Sequence, residues 1–345
     1  MTFKTFAACL IALACATTAP AQSDKVYLLD GTVVKGVKVT EFSIRSLRYR
    51  RAGATESVES DQVAKIELGK FNKTYARGLR DAGLMLTLAR EELADGPSVM
   101  AQLGFIAAGS GFLDEGSPAE AMSALNELQK AMPEAGSIAD VYRLKFEYYI
   151  NAGPKSASSA LTVAKKYESD AIGGAWPNGF SVEAMFFQAM ASNLSPEDFQ
   201  TKLRSIISSS RSTNIVVANR ANIQLANSLL QTNAIDEAKR IYENIAKSTN
   251  VDDTSLAGAY LGLGRILFSQ GEDKEKAKEA LLMFLRVRLE TRDAWPSLHA
   301  EALYNCILAA RQWKGPEYAR VMARCRRVLY AEFPNSEWAQ RARQR

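Results

Sequence analysis

Few side chains in this sequence could do covalent or metal chemistry. His299 is the single histidine, which removes multi-histidine zinc sites, facial triads and most nucleophile–histidine pairs. Two carboxylates qualify as an acid–base pair. Asp170 and Asp293 lie by two long loops, Ala171 to Gly179 and Thr291 to Ser297, which carry Trp176 and Trp295. Paired carboxylates beside aromatic rings are the equipment of glycoside hydrolysis, with six helical hairpins closed into a toroid as the frame. Lean loops and 9% aromatic residues favour a non-catalytic protein without cofactor over that reading. Gly262-x-Gly264 follows no strand and sits in a helical pattern, so it is not a dinucleotide loop. Asp252-Asp253 before Thr254 reads as a helix cap rather than a metal pair. Gly173-Gly174 with Trp176 reads either as a ligand contact or as a long turn pinned by its indole.

The first residues read as an export address. Lys4, an apolar run from Phe6 to Ala16 and Ala19-Pro20-Ala21 form a signal peptide over 1–21, with cleavage before Gln22. Cys15 leaves lipid anchoring as the less favoured alternative. After cleavage two cysteines remain, Cys306 and Cys325, at similar distances from the Gly315-Pro316 turn. In an oxidising compartment they form a disulfide or stay as two buried thiols; both readings stand. A net charge of +5, or +4 without Lys4, is mild for this length and speaks against a nucleic-acid partner. The predicted location is periplasmic or secreted.

Residues 22–70 differ from the rest. Val26–Leu29, Thr32–Val39, Leu47–Arg50, Glu56–Glu59 and Val63–Leu68 read as short strands. Asp30-Gly31 is a hairpin turn, and Gly36 suits a bulge. Five strands in so short a segment predict a small closed or half-closed barrel. The run Val26-x-Leu28-x-Asp30-Gly31-x-x-x-x-Gly36 resembles the opening of Sm-like and SH3-like barrels. Arg45, Arg48, Arg50 and Arg51 read as a solvated basic face, or as a contact for an anionic envelope polymer or lipid surface.

From 71 to 345 apolar residues follow helical spacing. The spacing predicts a leading helix near 72–95 and six hairpins starting near 98, 137, 180, 214, 254 and 297. An internal duplication relates 98–213 to 214–333. Ser137-Ile138-Ala139, Tyr142 and Gly153 return as Ser255-Leu256-Ala257, Tyr260 and Gly271, and Phe180 to Phe186 returns as Leu298 to Tyr304. Ser117-Pro118, Gly153-Pro154, Ser195-Pro196 and Gly315-Pro316 put proline just inside second helices.

Ala108, Gly109, Phe112, Gly116, Ala121, Leu125, Leu128 and Pro133 carry a spacing that resembles the tetratricopeptide repeat. Leu225, Ala226, Leu229, Asn233, Ala238, Tyr242 and Ile245 repeat it. Leu263, Gly264, Leu267, Gly271, Ala277, Leu281 and Phe284 do so again after one inserted residue. The second, third and sixth hairpins match poorly. Small residues let paired helices approach, and large ones fill the space to the next hairpin. The resemblance implies an α-solenoid whose concave face binds a protein or peptide. It nominates Arg220, Gln224, Asn227 and Arg265 as first-helix residues that bond an extended segment or a carboxylate. Leu329, Tyr330, Phe333-Pro334-Asn335-Ser336 and Trp338-Ala339 resemble the closing of repeats in bacterial envelope assembly proteins. Nine Lys and Arg stand against three Glu in the last 35 residues. They read as a solubilising end cap or as a contact for an acidic partner.

Three readings follow. The leading one is an exported non-catalytic scaffold or adaptor in cell-envelope organisation. A second places envelope-polymer binding in the barrel, with the repeats as spacer. The carboxylate-based enzyme comes third.

Overall fold

The computed structural model describes residues 23–76, 78–271 and 273–344. The segment expected to be a signal peptide, with Cys15, lies outside them. All five strands form where alternation places them: β1 (Asp24–Leu28), β2 (Val33–Phe42), β3 (Ser46–Arg51), β4 (Ala54–Glu59) and β5 (Val63–Glu67). The sheet is antiparallel in the order β4-β3-β2-β1-β5. Strand β2 pairs with β1 through Val33–Val37 and with β3 through Lys38–Phe42. Pairing jumps from Asp24↔Val37 to Lys25↔Lys35, so Gly36 is the extra residue of a bulge, at φ +71°.

The expected barrel does not close. β4 and β5 remain unpaired edges joined by a short 3-10 turn, Ser60–Gln62. That turn bonds to the helical body instead: Gly179 N–H donates to Asp61 Oδ2 at 2.8 Å, and Gln62 Nε2 donates to the Thr213 carbonyl at 2.8 Å. The turn between β2 and β3 is also docked. Ile44 N–H donates to the Glu134 carbonyl at 2.8 Å, Gly136 N–H to the Phe42 carbonyl at 3.0 Å, and the Ile44 side chain is fully buried in the helical core. Of the basic residues, Arg45 donates to the Gly174 carbonyl at 2.9 Å and Arg48 pairs with Glu41 at 3.1 Å, while Arg50 and Arg51 are exposed.

The leading helix is broken. A single turn α1 (Phe71–Thr74) and a 3-10 turn at Gly78–Arg80 precede α2 (Ala82–Ala94). Asp81 stops continuity by capping α2: its backbone is extended and its carboxylate accepts Leu84 N–H at 2.9 Å. The described residues then hold six hairpins: α3 (Val99–Asp114) with α4 (Pro118–Ala131), α5 (Ile138–Asn151) with α6 (Ala157–Gly173), and α7 (Asn178–Ala191) with α8 (Pro196–Ser210). These are followed by α9 (Ile215–Gln231) with α10 (Ile235–Lys247), α11 (Asp253–Phe268) with α12 (Lys274–Glu290), and α13 (Pro296–Trp313) with α14 (Tyr318–Glu332); α15 (Glu337–Arg343) covers the end. Pro118 and Pro196 open α4 and α8, whereas Pro154 and Pro316 stand a short turn earlier. No described helix is long and apolar enough to cross a membrane.

First helices of successive hairpins pack on one another, whereas second helices pack mainly on their sequence neighbours. The first-helix face is therefore the inner one. A Cβ on Gly109 would lie 2.7 Å from a Leu125 methyl, so glycine leaves the space that this side chain fills. Leu125, Tyr242 and Phe284 are fully buried; Tyr242 packs on Gly262 of the next hairpin, as its spacing predicts, whereas Leu125 and Phe284 pack on Gly109 and Gly264 of their own. Cys306 and Cys325 face each other from α13 and α14 as buried free thiols, near enough for one to hydrogen-bond to the other.

His299, on α13, is 5% exposed, and its Nδ1 has no partner among the described residues. Burial, and then Arg288, lowers its pKa below the usual 6.5 despite the opposing Glu332 and Asp253. Stability tied to neutral His299 is therefore complete above pH 6.5 and falls as the pH drops toward its folded value. His299→Gln should flatten the loss of urea resistance between neutral pH and about pH 5 relative to wild type. Parallel pH profiles for the two proteins would refute this.

Candidate functional site

Helices α9 and α11 project the four nominated residues into one place. Arg220, Gln224, Asn227 and Arg265 line a recess of about 50 Å³ with Phe186, Ile223, Leu261, Trp295 and Leu298. Spacing of four and seven along α9 puts Arg220, Gln224 and Asn227 on one stripe. Gly258 keeps the floor open to Ile223, whose Cγ2 would lie 2.7 Å from an added Cβ.

Both arginines already hold carboxylates of the protein. Arg220 Nε donates to Asp252 at 3.3 Å, and its guanidinium lies 5.5 Å from the Trp295 ring centre. Asp252 is also the α11 cap, accepting from Ser255 N–H at 3.3 Å. Arg265 grips the buried Glu301, with Nε at 2.9 Å from Oε1. Asn227 Oδ1 accepts from Tyr242 O–H at 2.7 Å and from Arg265 at 3.4 Å, and its amide donates to Gln224 at 3.3 Å. A carboxylate guest would thus compete with Asp252 and Glu301. The stripe is better furnished for amide or apolar groups, because Gln224 and the Trp295 and Phe186 rings carry no net charge.

Through Arg220 and Thr254 the recess continues into a cleft of about 530 Å³, within the range of ligand sites. One wall is the end strand β5, at Val63, Ala64 and Lys65, with Leu29; the other is built from the starts of the inner helices. Inside it Arg143 binds Glu183 at 2.9 Å and Asp140 at 2.7 Å, and Tyr167 O–H donates to Glu183 at 2.8 Å. At the cleft Asp253 Oδ2 accepts Asp293 N–H at 2.8 Å, and neither carboxylate has a cationic partner among the described residues. The uncompensated charge of the helix-start wall is therefore negative, and Lys65, which shares Glu67 with Lys25, faces it from β5.

Asp170 lies elsewhere, in a cleft between α4, α5 and α6, and accepts from Tyr142 O–H and Lys166. Asp170 and Asp293 are thus not brought together as a pair. The two tryptophans also part company. Trp176 is wedged among Tyr142, Tyr167 and Phe180, with ring centres 6.2–6.4 Å apart, whereas Trp295 lines the inner recess.

No protein-family model matches the chain, and no curated protein matches its sequence. Function must be read from the grooves themselves.

Proposed function

We propose that this chain is an exported, non-catalytic scaffold whose tetratricopeptide-like array binds an extended protein segment along its first-helix face. The observation that carries this reading is the convergence of Arg220, Gln224, Asn227 and Arg265 on one recess that opens into the larger cleft beside β5. A free sheet edge offers main-chain pairing to an extended guest, and pockets beside it select side chains. Because the arginines are already neutralised and Asp253 and Asp293 are not, a segment with a basic side chain suits this cleft better than a peptide carboxylate.

A photo-crosslinking residue at Gln224 should capture a protein partner in the native envelope, while the same residue at exposed Arg240 on α10 should not. Equal crosslinking at both positions, or none at Gln224, would remove the first-helix face from the binding role.

A further inference from the structure

On the opposite side of the array, α4 and α6 make no extensive contact, and an open cleft of about 610 Å³ lies between them above α5. A continuous polar chain runs along it. Lys145 Nζ donates to Asn126 Oδ1 at 2.7 Å and to Gln129 Oε1 at 3.1 Å. Gln129 Nε2 donates to the Tyr142 oxygen at 2.8 Å, and Tyr142 O–H donates to Asp170, whose other oxygen takes Lys166.

The two ends of this chain are unequal. Asp170 has a donor on each oxygen, a hydroxyl and an ammonium. Lys145 is held only by neutral amide oxygens, and its third N–H has no partner among the described residues. Glu134 is exposed on the cleft rim and forms no ion pair with it. Burial alone lowers the Lys145 pKa to about 8, which is what an ammonium without a counter-ion shows. The apolar side of the cleft is fixed in advance: Trp176 is clamped by three aromatic rings, and Arg45 of the sheet ties down its loop through the Gly174 carbonyl.

We propose that the cleft between α4 and α6 is a binding site for a small anionic ligand, with its carboxylate or phosphate on Lys145 and its body against Pro133, Val163 and Trp176. The missing counter-ion supplies the attraction, and the clamped indole supplies a surface that need not be ordered on binding. This site is separate from the first-helix groove, so crosslinking at Gln224 bears on one and not the other.

D-glucuronate and phenyl phosphate test the two anion types, with glucose as the neutral control, using lysine-resolved NMR of the mature chain. The Lys145 signal should titrate near 8 in the free protein and move up by about one unit or more with a bound anion, and anion affinity should fall about tenfold per pH unit above the free value. Whichever anion binds more tightly identifies the head group. Lys145→Gln should abolish binding, and Lys145→Arg should keep it without the pH dependence. Unaltered Lys145 titration with both anions, equal binding of glucose, or wild-type binding by Lys145→Gln would each overturn the assignment.

Discussion

Glu183→Ala should cost the protein about 3 kcal/mol, a large share of the marginal stability of a folded chain. Glu183 is 4% exposed and is the shared acceptor of Arg143, at 2.9 and 3.0 Å, and of Tyr167 O–H at 2.8 Å. Removing it strands a guanidinium and a buried phenol at once. Asp140, at 2.7 Å from Arg143, is a third exposed and cannot replace a chelating partner. Leaving one member of a buried pair is worse than removing both, so Arg143→Met in the Glu183→Ala background should recover a large part of the loss. Glu183→Gln should fall between, since it keeps an acceptor for Tyr167. Urea unfolding of the four proteins decides the matter. A Glu183→Ala variant within about 1 kcal/mol of wild type would show that the network contributes little.

The second large effect is expected at the join between sheet and helices. Helix α7 has no side-chain cap of its own, since Pro177 precedes it. Asp61, 4% exposed and 118 residues away, supplies the acceptor for Gly179 N–H at 2.8 Å. A carboxylate at a helix start satisfies an orphan donor and meets the positive end of the helix dipole. Asp61→Ala should cost about 2–3 kcal/mol as a buried, charge-assisted hydrogen bond. Asp61→Asn should retain part of it. Hydrogen exchange should speed up at Gly179 and through β5 in Asp61→Ala. Gly179→Ala should be non-additive with Asp61→Ala, because its Cβ would stand 2.6 Å from the carboxylate. Unchanged exchange at both places would mean that the sheet stays docked without this bond.

These two sites also mark where sequence reasoning works and where it stops. Strands β1–β5 and the six hairpins are legible because period-two and period-3.6 patterns are local, and the duplication repeats the helical one. Barrel closure is not legible: what holds the β4–β5 turn open is Gly179 in the first turn of α7 and Thr213 in the turn before α9, each over a hundred residues downstream. The inner stripe of α9 and α11 is legible through the repeat spacing, but its pairing is not. Arg220 meets Asp252 at a separation of 32 and Arg265 meets Glu301 at 36, each about one hairpin further along. The same step joins Arg143 to Glu183 at 40. Acid and base one repeat apart on first helices were visible in the sequence, though nothing local marked them as partners. Lys145 was invisible for a different reason. Its character comes from the lack of a counter-ion, which only the folded surroundings define.

The docking of the sheet also sets an order in time. Strands β1–β5 come early in the chain, yet their turns rest on backbone groups at Glu134, Gly174, Gly179 and Thr213. A chain that emerges from its N-terminus can form the hairpins of the sheet at once. It can seat them only after the third helical hairpin has arrived. Until then the β4–β5 turn has nothing to rest on, and the Ile44 side chain stays uncovered until Glu134 and its neighbours arrive, a period in which exposed apolar groups recruit wrong partners. The early sheet is therefore the last of these parts to be finished.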